Sequence, residues 1–136
     1  CSYIKLQKRS PIDLTTNKML YEPFEKCPSF GSNQLQVRER HEFSMEEYIQ
    51  LSNYANEYGA MLFTSVFDIP SLEFAIECGC KLIKIASHSN TNSELLSQIN
   101  KLAIPSIMST GGASLEEIDQ LPPKVSAATT LVINTL

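Results

Sequence analysis

No stretch of this 136-residue sequence approaches the roughly 20 consecutive apolar residues that span a bilayer, which argues against a transmembrane helix and a membrane partner. Its start, CSYIKLQKRS, reaches charge after four residues and lacks the apolar core of a secretory signal, so the cytoplasm is the expected location. Basic charge is in deficit. Eleven Lys and Arg stand against 15 Asp and Glu, a net charge of −4, whereas nucleic-acid binding calls for a basic surface. Nucleic acid is therefore not an expected partner. Cysteines are few, and only Cys78-Gly79-Cys80 brings two together; C-x-C without a second pair or nearby His is a poor metal spacing. These thiols read as reduced structural groups at a helix-to-strand turn. H-E-x-x-H, the P-loop, G-x-S-x-G and G-x-G-x-x-G are all missing, which removes zincins, P-loop NTPases, typical serine hydrolases and the usual dinucleotide fingerprint.

What is present is the composition of a globular domain, 43% hydrophobic and 19% charged. From residue 44 onward, helical and strand patterns alternate. Ser44 to Glu47 has the form of a capping box, followed by helical spacing through Tyr58 and a stop at Gly59. MLFTSVF then reads as a buried strand, SLEFAIEC as a short helix after Pro70, and KLIKIAS as the next strand. Thr91 to Glu94 predicts a second capping box, IPSIMST a strand, and Ser114 to Glu117 a third box whose helix stops at Pro122-Pro123. TTLVINTL closes the series, and SYIKLQ supplies an earlier strand. Strand starts near residues 61, 81, 104 and 130 are about 20 to 26 residues apart, the interval of βαβ units on a parallel sheet. Residues 10 to 43 are polar and weakly periodic, and are expected to form a long functional or mobile loop. Five strands suit either an open doubly wound sheet or part of a (β/α)8 barrel.

The chemistry starts with two lysines where the pattern calls for hydrophobes. Lys84 lies between Ile83 and Ile85, and Lys5 between Ile4 and Leu6. Burying an ammonium in a parallel strand is costly without an anionic partner. An edge strand or a snorkelling side chain would explain one such lysine; two in separate strands favour an anion site. Hydroxyls gather at the ends of the same strands: Thr64 and Ser65, then Ser87 and Ser89 around His88, then Ser109 and Thr110 before Gly111-Gly112. In parallel α/β folds that is where ligands bind, and hydroxyls beside lysines make a cradle for phosphate or carboxylate. His41, within RERHEF, is expected on a solvated charged segment. His88 stays open between a ligand contact and a structural role.

Taken in order, IKLQ, RERHEFSMEEY, LFTSVFDIPSLEF, KLIKIASHSNTNSELL and IPSIMSTGGASLEEID resemble the sialic acid synthase family, the phosphoenolpyruvate-dependent N-acetylneuraminate synthases and their bacterial relatives. The resemblance implies a (β/α)8 barrel of which residues 1–136 form the second through sixth strands, a single domain incomplete at both ends. It implies condensation of phosphoenolpyruvate with an N-acylated amino sugar, releasing phosphate by C–O cleavage, in an enzyme that is a homodimer when complete. Lys5, Gln7 and Lys84 would hold the charges of phosphoenolpyruvate, Lys84 being the catalytic candidate. Ser65, Ser87, Ser109 and Thr110 would donate hydrogen bonds to it. Family members use a divalent metal, Mn or Mg, bound by histidines on later strands; here Asn134 falls at the place of the first, so the ligands are not expected in this chain. Other departures are Val66 for a common Pro, Gly112 for Met, and His88-Ser89 where many members have Gly-Glu, the Glu contacting the sugar. Two alternatives remain: an aldolase-like barrel using Lys84 as a Schiff-base nucleophile, and a non-catalytic relative or fragment that binds an anion without turnover.

Overall fold

Five strands, β1 (Tyr3–Lys8), β2 (Met61–Val66), β3 (Ile83–Ile85), β4 (Ser106–Ser109) and β5 (Thr129–Val132), form one parallel sheet in the order β1-β2-β3-β4-β5. The structure, a computed structural model, describes residues 1–26, 28–102 and 104–120, and the backbone of 129–132. Every strand pairs with its neighbours in sequence. A doubly wound sheet would reverse its order at a switch point; this one never does, so the winding is that of a (β/α)8 barrel.

Between β1 and β2 run α1 (Pro11–Leu14), α2 (Asn17–Leu20), α3 (Gln34–Arg40) and α4 (Met45–Glu57). After β2 comes α5 (Ile69–Glu77), after β3 a 3-10 turn (Ser87–Ser89) and α6 (Ser93–Leu102), and after β4 α7 (Leu115–Asp119). The expected loop over residues 10 to 43 is thus corrected: it contains three short helices, whose Leu20 and Val37 are buried.

Local chemistry sets the element ends. The boxes at Ser44–Glu47 and Ser114–Glu117 are formed, each serine hydroxyl accepting the glutamate amide and each glutamate carboxylate accepting the serine amide. The box expected at Thr91 is displaced by one residue: α6 opens at Ser93, and the Asn92 side chain accepts the Leu95 amide at 3.1 Å. Gly59 and Gly79 end α4 and α5 at φ +70° and +72°, a left-handed conformation that glycine adopts without a Cβ clash. The end of the seventh helix expected at Pro122-Pro123 and the strand residues beyond Val132, Asn134 included, lie outside the described residues.

Alternation along the strands divides the sheet. One face carries Leu62, Val66, Ile83, Ile85 and Met108, and these pack under the helices. Val66, Ile83, Ile85 and Met108 join Leu72 and Ala75 of α5 and Leu95, Leu96 and Ile99 of α6 in one core cluster. Leu62 joins Tyr48 and Ala55 of α4 in a second, and Cys80 touches both. The Cys78-Gly79-Cys80 turn is where the sequence puts it, and burial pushes both thiols' pKa values up, which keeps them protonated. The cover thins toward β1, where Ile4 is exposed, and the other face carries Lys5, Gln7, Ser65 and Lys84.

Candidate functional site

Register assembles the inner face. Gln7 lies opposite Ser65, Ser65 opposite Lys84, and Lys84 opposite Ile107. Strands stand about 4.8 Å apart and directly paired residues share a face, so Gln7, Ser65 and Lys84 form one transverse row. Lys5 lies two residues before Gln7 on that face, opposite Phe63, and Ser109 two residues beyond Ile107. Four elements thus converge Lys5, Gln7, Ser65, Lys84 and Ser109 on one side of the sheet. Ser87 opens the 3-10 turn at the end of β3, and a Cβ on Gly111 would sit 3.8 Å from its own. Thr110, buried at the end of β4, has the opposite parity to Ser109 and so does not share the row.

Positive charge dominates this face. Lys84 is half-buried, and its Nζ donates to the Ile85 carbonyl at 3.3 Å. Burial, and secondly the Lys5 ammonium, hold its pKa below the usual lysine range. Among the described residues both ion pairs run to Glu42, so no carboxylate reaches Lys5 or Lys84. An anion between them would offset both causes of the depression.

Two residues named from sequence are placed differently from the rest. Ser89 is buried and donates to the Phe67 carbonyl at 2.9 Å, tying the two loops after β2 and β3 together. His88 is exposed and leans on the Phe67 ring, centroids 4.9 Å apart. Asn90, beside them, has a buried side-chain nitrogen with no hydrogen-bond partner among the described residues.

Sequence reasoning passed over three groups. Asp68 caps α5 by accepting the Ser71 amide at 2.8 Å, and its other oxygen accepts the Ser10 amide at 2.8 Å. Glu42 binds Lys8 and Arg9 together. Arg9, with His41 and Phe43, lines an open cavity of about 440 Å³ along the edge of β1, together with Lys5, Leu6 and Gln7. The signal for Arg9 was available: Lys5, Gln7 and Arg9 follow the period of two that keeps strand residues on one face. No three His, Cys, Asp or Glu side chains among the described residues come together as metal ligands. Nor is any helix among them long and apolar enough to cross a membrane.

The model of the NeuB family matches residues 1–131. The chain belongs to the NeuB family. Two curated relatives show how the likeness is distributed. The N,N'-diacetyllegionaminic acid synthase of Campylobacter jejuni is 29% identical over 119 residues, covering 87% of this chain and 36% of the relative. The N-acetylneuraminate-9-phosphate synthase of Drosophila melanogaster is 27% identical over 121 residues, covering 89% and 32%. This NeuB-family chain therefore spans about a third of the length of those relatives. Among solved structures, the N-acetylneuraminic acid synthetase of Leptospira borgpetersenii superposes with a TM-score of 0.70 at 24% identity, covering 96% of this chain and 42% of that one. That likeness supports the barrel-type fold.

Proposed function

We propose that this chain is the central part of a (β/α)8 synthase barrel, its second through sixth strands. The complete enzyme condenses phosphoenolpyruvate with an N-acylated amino sugar. The observation that carries this is the inner row Gln7–Ser65–Lys84 with Lys5 beside it: two cations without carboxylate partners among the described residues, in a chain of the NeuB family. Lys84 and Lys5 hold the phosphate and carboxylate of phosphoenolpyruvate, Gln7 and Ser65 orient it, and Ser87 and Ser109 donate hydrogen bonds from the strand ends; Thr110, of the opposite parity, is not part of this set. The enol carbon attacks the sugar aldehyde, water adds to the resulting cation, and phosphate departs by C–O cleavage. Fixed positive charge beside the departing phosphate stabilises the developing anion. A divalent ion, which the family uses, would supply Lewis acidity; the described residues do not furnish its ligands, and His41 and His88 are engaged with Val37 and Phe67. The complete enzyme acts in the cytoplasm as a homodimer.

The test is phosphate release from phosphoenolpyruvate by the complete gene product with Mn²⁺ and an amino sugar, alongside calorimetric titration of phosphoenolpyruvate alone. Sugar-dependent release with one binding site supports the reading. Borohydride trapping of a carbonyl substrate on Lys84 would instead establish the aldolase-like alternative, and binding without turnover the non-catalytic one.

The relatives' names divide the sugars into two classes. Phosphoenolpyruvate adds three carbons at the aldehyde and loses its own phosphate. A 9-phosphate product therefore derives from a sugar already phosphorylated on its sixth carbon, and an unphosphorylated product from a neutral sugar.

A further inference from the structure

We infer that Ser89 is a positioning residue: its bond to the Phe67 carbonyl fixes the turn that presents Ser87 to phosphoenolpyruvate. The inference rests on the synthase reading, in which Ser87 donates to that substrate. Ser89 does not make such a contact itself, being 3% exposed with its hydroxyl given to Phe67 at 2.9 Å. Its role runs through its neighbour.

The turn needs a hold from outside. β3 ends at Ile85, and the Ala86 amide reaches the Val66 carbonyl only at 3.4 Å. Two backbone bonds then keep the Ser87–Ser89 turn, from the Ser89 amide to the Ala86 carbonyl at 3.0 Å and from Asn90 to Ser87 at 3.3 Å. Hydrogen-bond geometry in a 3-10 turn is poorer than in an α-helix. This conformation also leaves the buried Asn90 side-chain nitrogen without a partner among the described residues, a cost that a relaxed turn would relieve. Phe67 supplies the hold. Its amide donates to the Ser71 hydroxyl at 3.0 Å, and Asp68 beside it accepts the amides of Ser71 and Ser10. The turn is fastened to this fixed residue twice, by the Ser89 bond to its carbonyl and by the His88 ring against its own. On the other flank Ser87 lies against the end of β4, where a Cβ on Gly111 would come within 3.8 Å of its own. A turn released from Phe67 carries Ser87 with it. A shift of about 1 Å is enough to take a hydroxyl out of the narrow range of an O–H···O bond.

The experiment is calorimetric titration of phosphoenolpyruvate into the complete gene product with Mn²⁺, for the wild type, Ser87→Ala, Ser89→Ala and the double variant. Ser89→Ala is expected to weaken binding roughly 10-fold, much as Ser87→Ala does, the scale of one hydrogen bond to a charged group. The double variant is expected to bind no more weakly than Ser87→Ala alone, because one loss contains the other. Ser89→Cys, of nearly the same volume but a weaker donor, is expected to fall between and carries the same comparison should the alanine variant fail to fold. A merely structural role would lower the stoichiometry of binding, or add its loss to that of Ser87→Ala. Additive losses, or an affinity that the Ser89 variants leave unchanged, overturn the inference and leave the synthase reading standing. An unchanged affinity in Ser87→Ala removes Ser87 from the site and the inference with it. No binding by the wild type overturns the synthase reading as well.

Discussion

Lys8 and Lys84 are the same residue type on opposite faces of one sheet, and their surroundings differ in every respect. Lys8, on the helix-covered face of β1, is 3.5 Å from Glu42, donates to the Phe43 carbonyl at 3.0 Å and sits 4.4 Å above the Phe74 ring. Lys84, on the inner face, has a single carbonyl at 3.3 Å and a second cation nearby. The first arrangement is complete and structural. The second leaves Lys84 without a carboxylate partner among the described residues, and the desolvation of its ammonium weighs against the fold.

The sharpest break of that contrast is the isolated 136-residue chain. Tyr3 and Met61 on the inner face and Ile4 on the outer are 57%, 38% and 39% exposed, and β1 and β5 bound the described sheet. Unpaired edges recruit other chains, so light scattering is expected to show self-association, with no phosphate release. A monomer with metal-dependent release would mean that five strands suffice. Next in size, Lys84→Ala in the complete protein should weaken phosphoenolpyruvate binding roughly 100-fold or more, the scale of unpairing a desolvated charge. Its melting temperature should hold or rise. Unchanged affinity by calorimetry would remove Lys84 from the site.

The mirror experiment is on the other face. Leu95→Ala, at a fully buried core position, should cost about 2–5 kcal/mol in denaturant unfolding and leave the affinity of the folded protein intact. Asp68→Ala should cost about 1–2 kcal/mol through the lost cap of α5, visible in the same unfolding curves. The smallest effect is on pH. An ammonium holds an anion only while protonated, and a bound anion raises its pKa. Affinity is therefore full below the free pKa of Lys84, which lies under the usual lysine value, and falls as pH climbs from the free to the bound value. Lys5→Gln removes the secondary cause of that depression, so the fall should move to higher pH. Movement to lower pH would show that the two ammonium groups do not face one anion.

Much of this was legible because alternation is a strong signal. Lys84, between two isoleucines of a buried strand, declares its face, and Lys5, Gln7, Ser65 and Ser109 share it; Lys5, however, is exposed on the edge strand β1, so the burial expected of both lysines holds for Lys84 alone. The capping boxes at Ser44 and Ser114 were equally plain. Less legible were α1 and α2, each four residues long, because helices that short are held by burial such as that of Leu20 and leave no periodicity to read. Asp68 was passed over as a cap because a box with Ser at its third position lacks the usual glutamate. The Thr91 box failed because Asn92, one residue on, is among the best capping residues and accepts the Leu95 amide, which moves the helix start along by one residue.

The double hold of Glu42 on Lys8 and Arg9 has an evolutionary consequence. It pins together the two ends of the segment between them, a stretch that leaves the sheet and returns to the place where it left. Chain closure becomes only slightly harder as such a segment grows, by about 0.6 kcal/mol for each doubling of length. Selection can thus lengthen, shorten or replace the stretch between these anchors without disturbing a strand. Arg9 and His41, at its two ends, face the cavity beside β1. A barrel built this way can exchange that stretch as a module, leaving the row of residues on the sheet untouched.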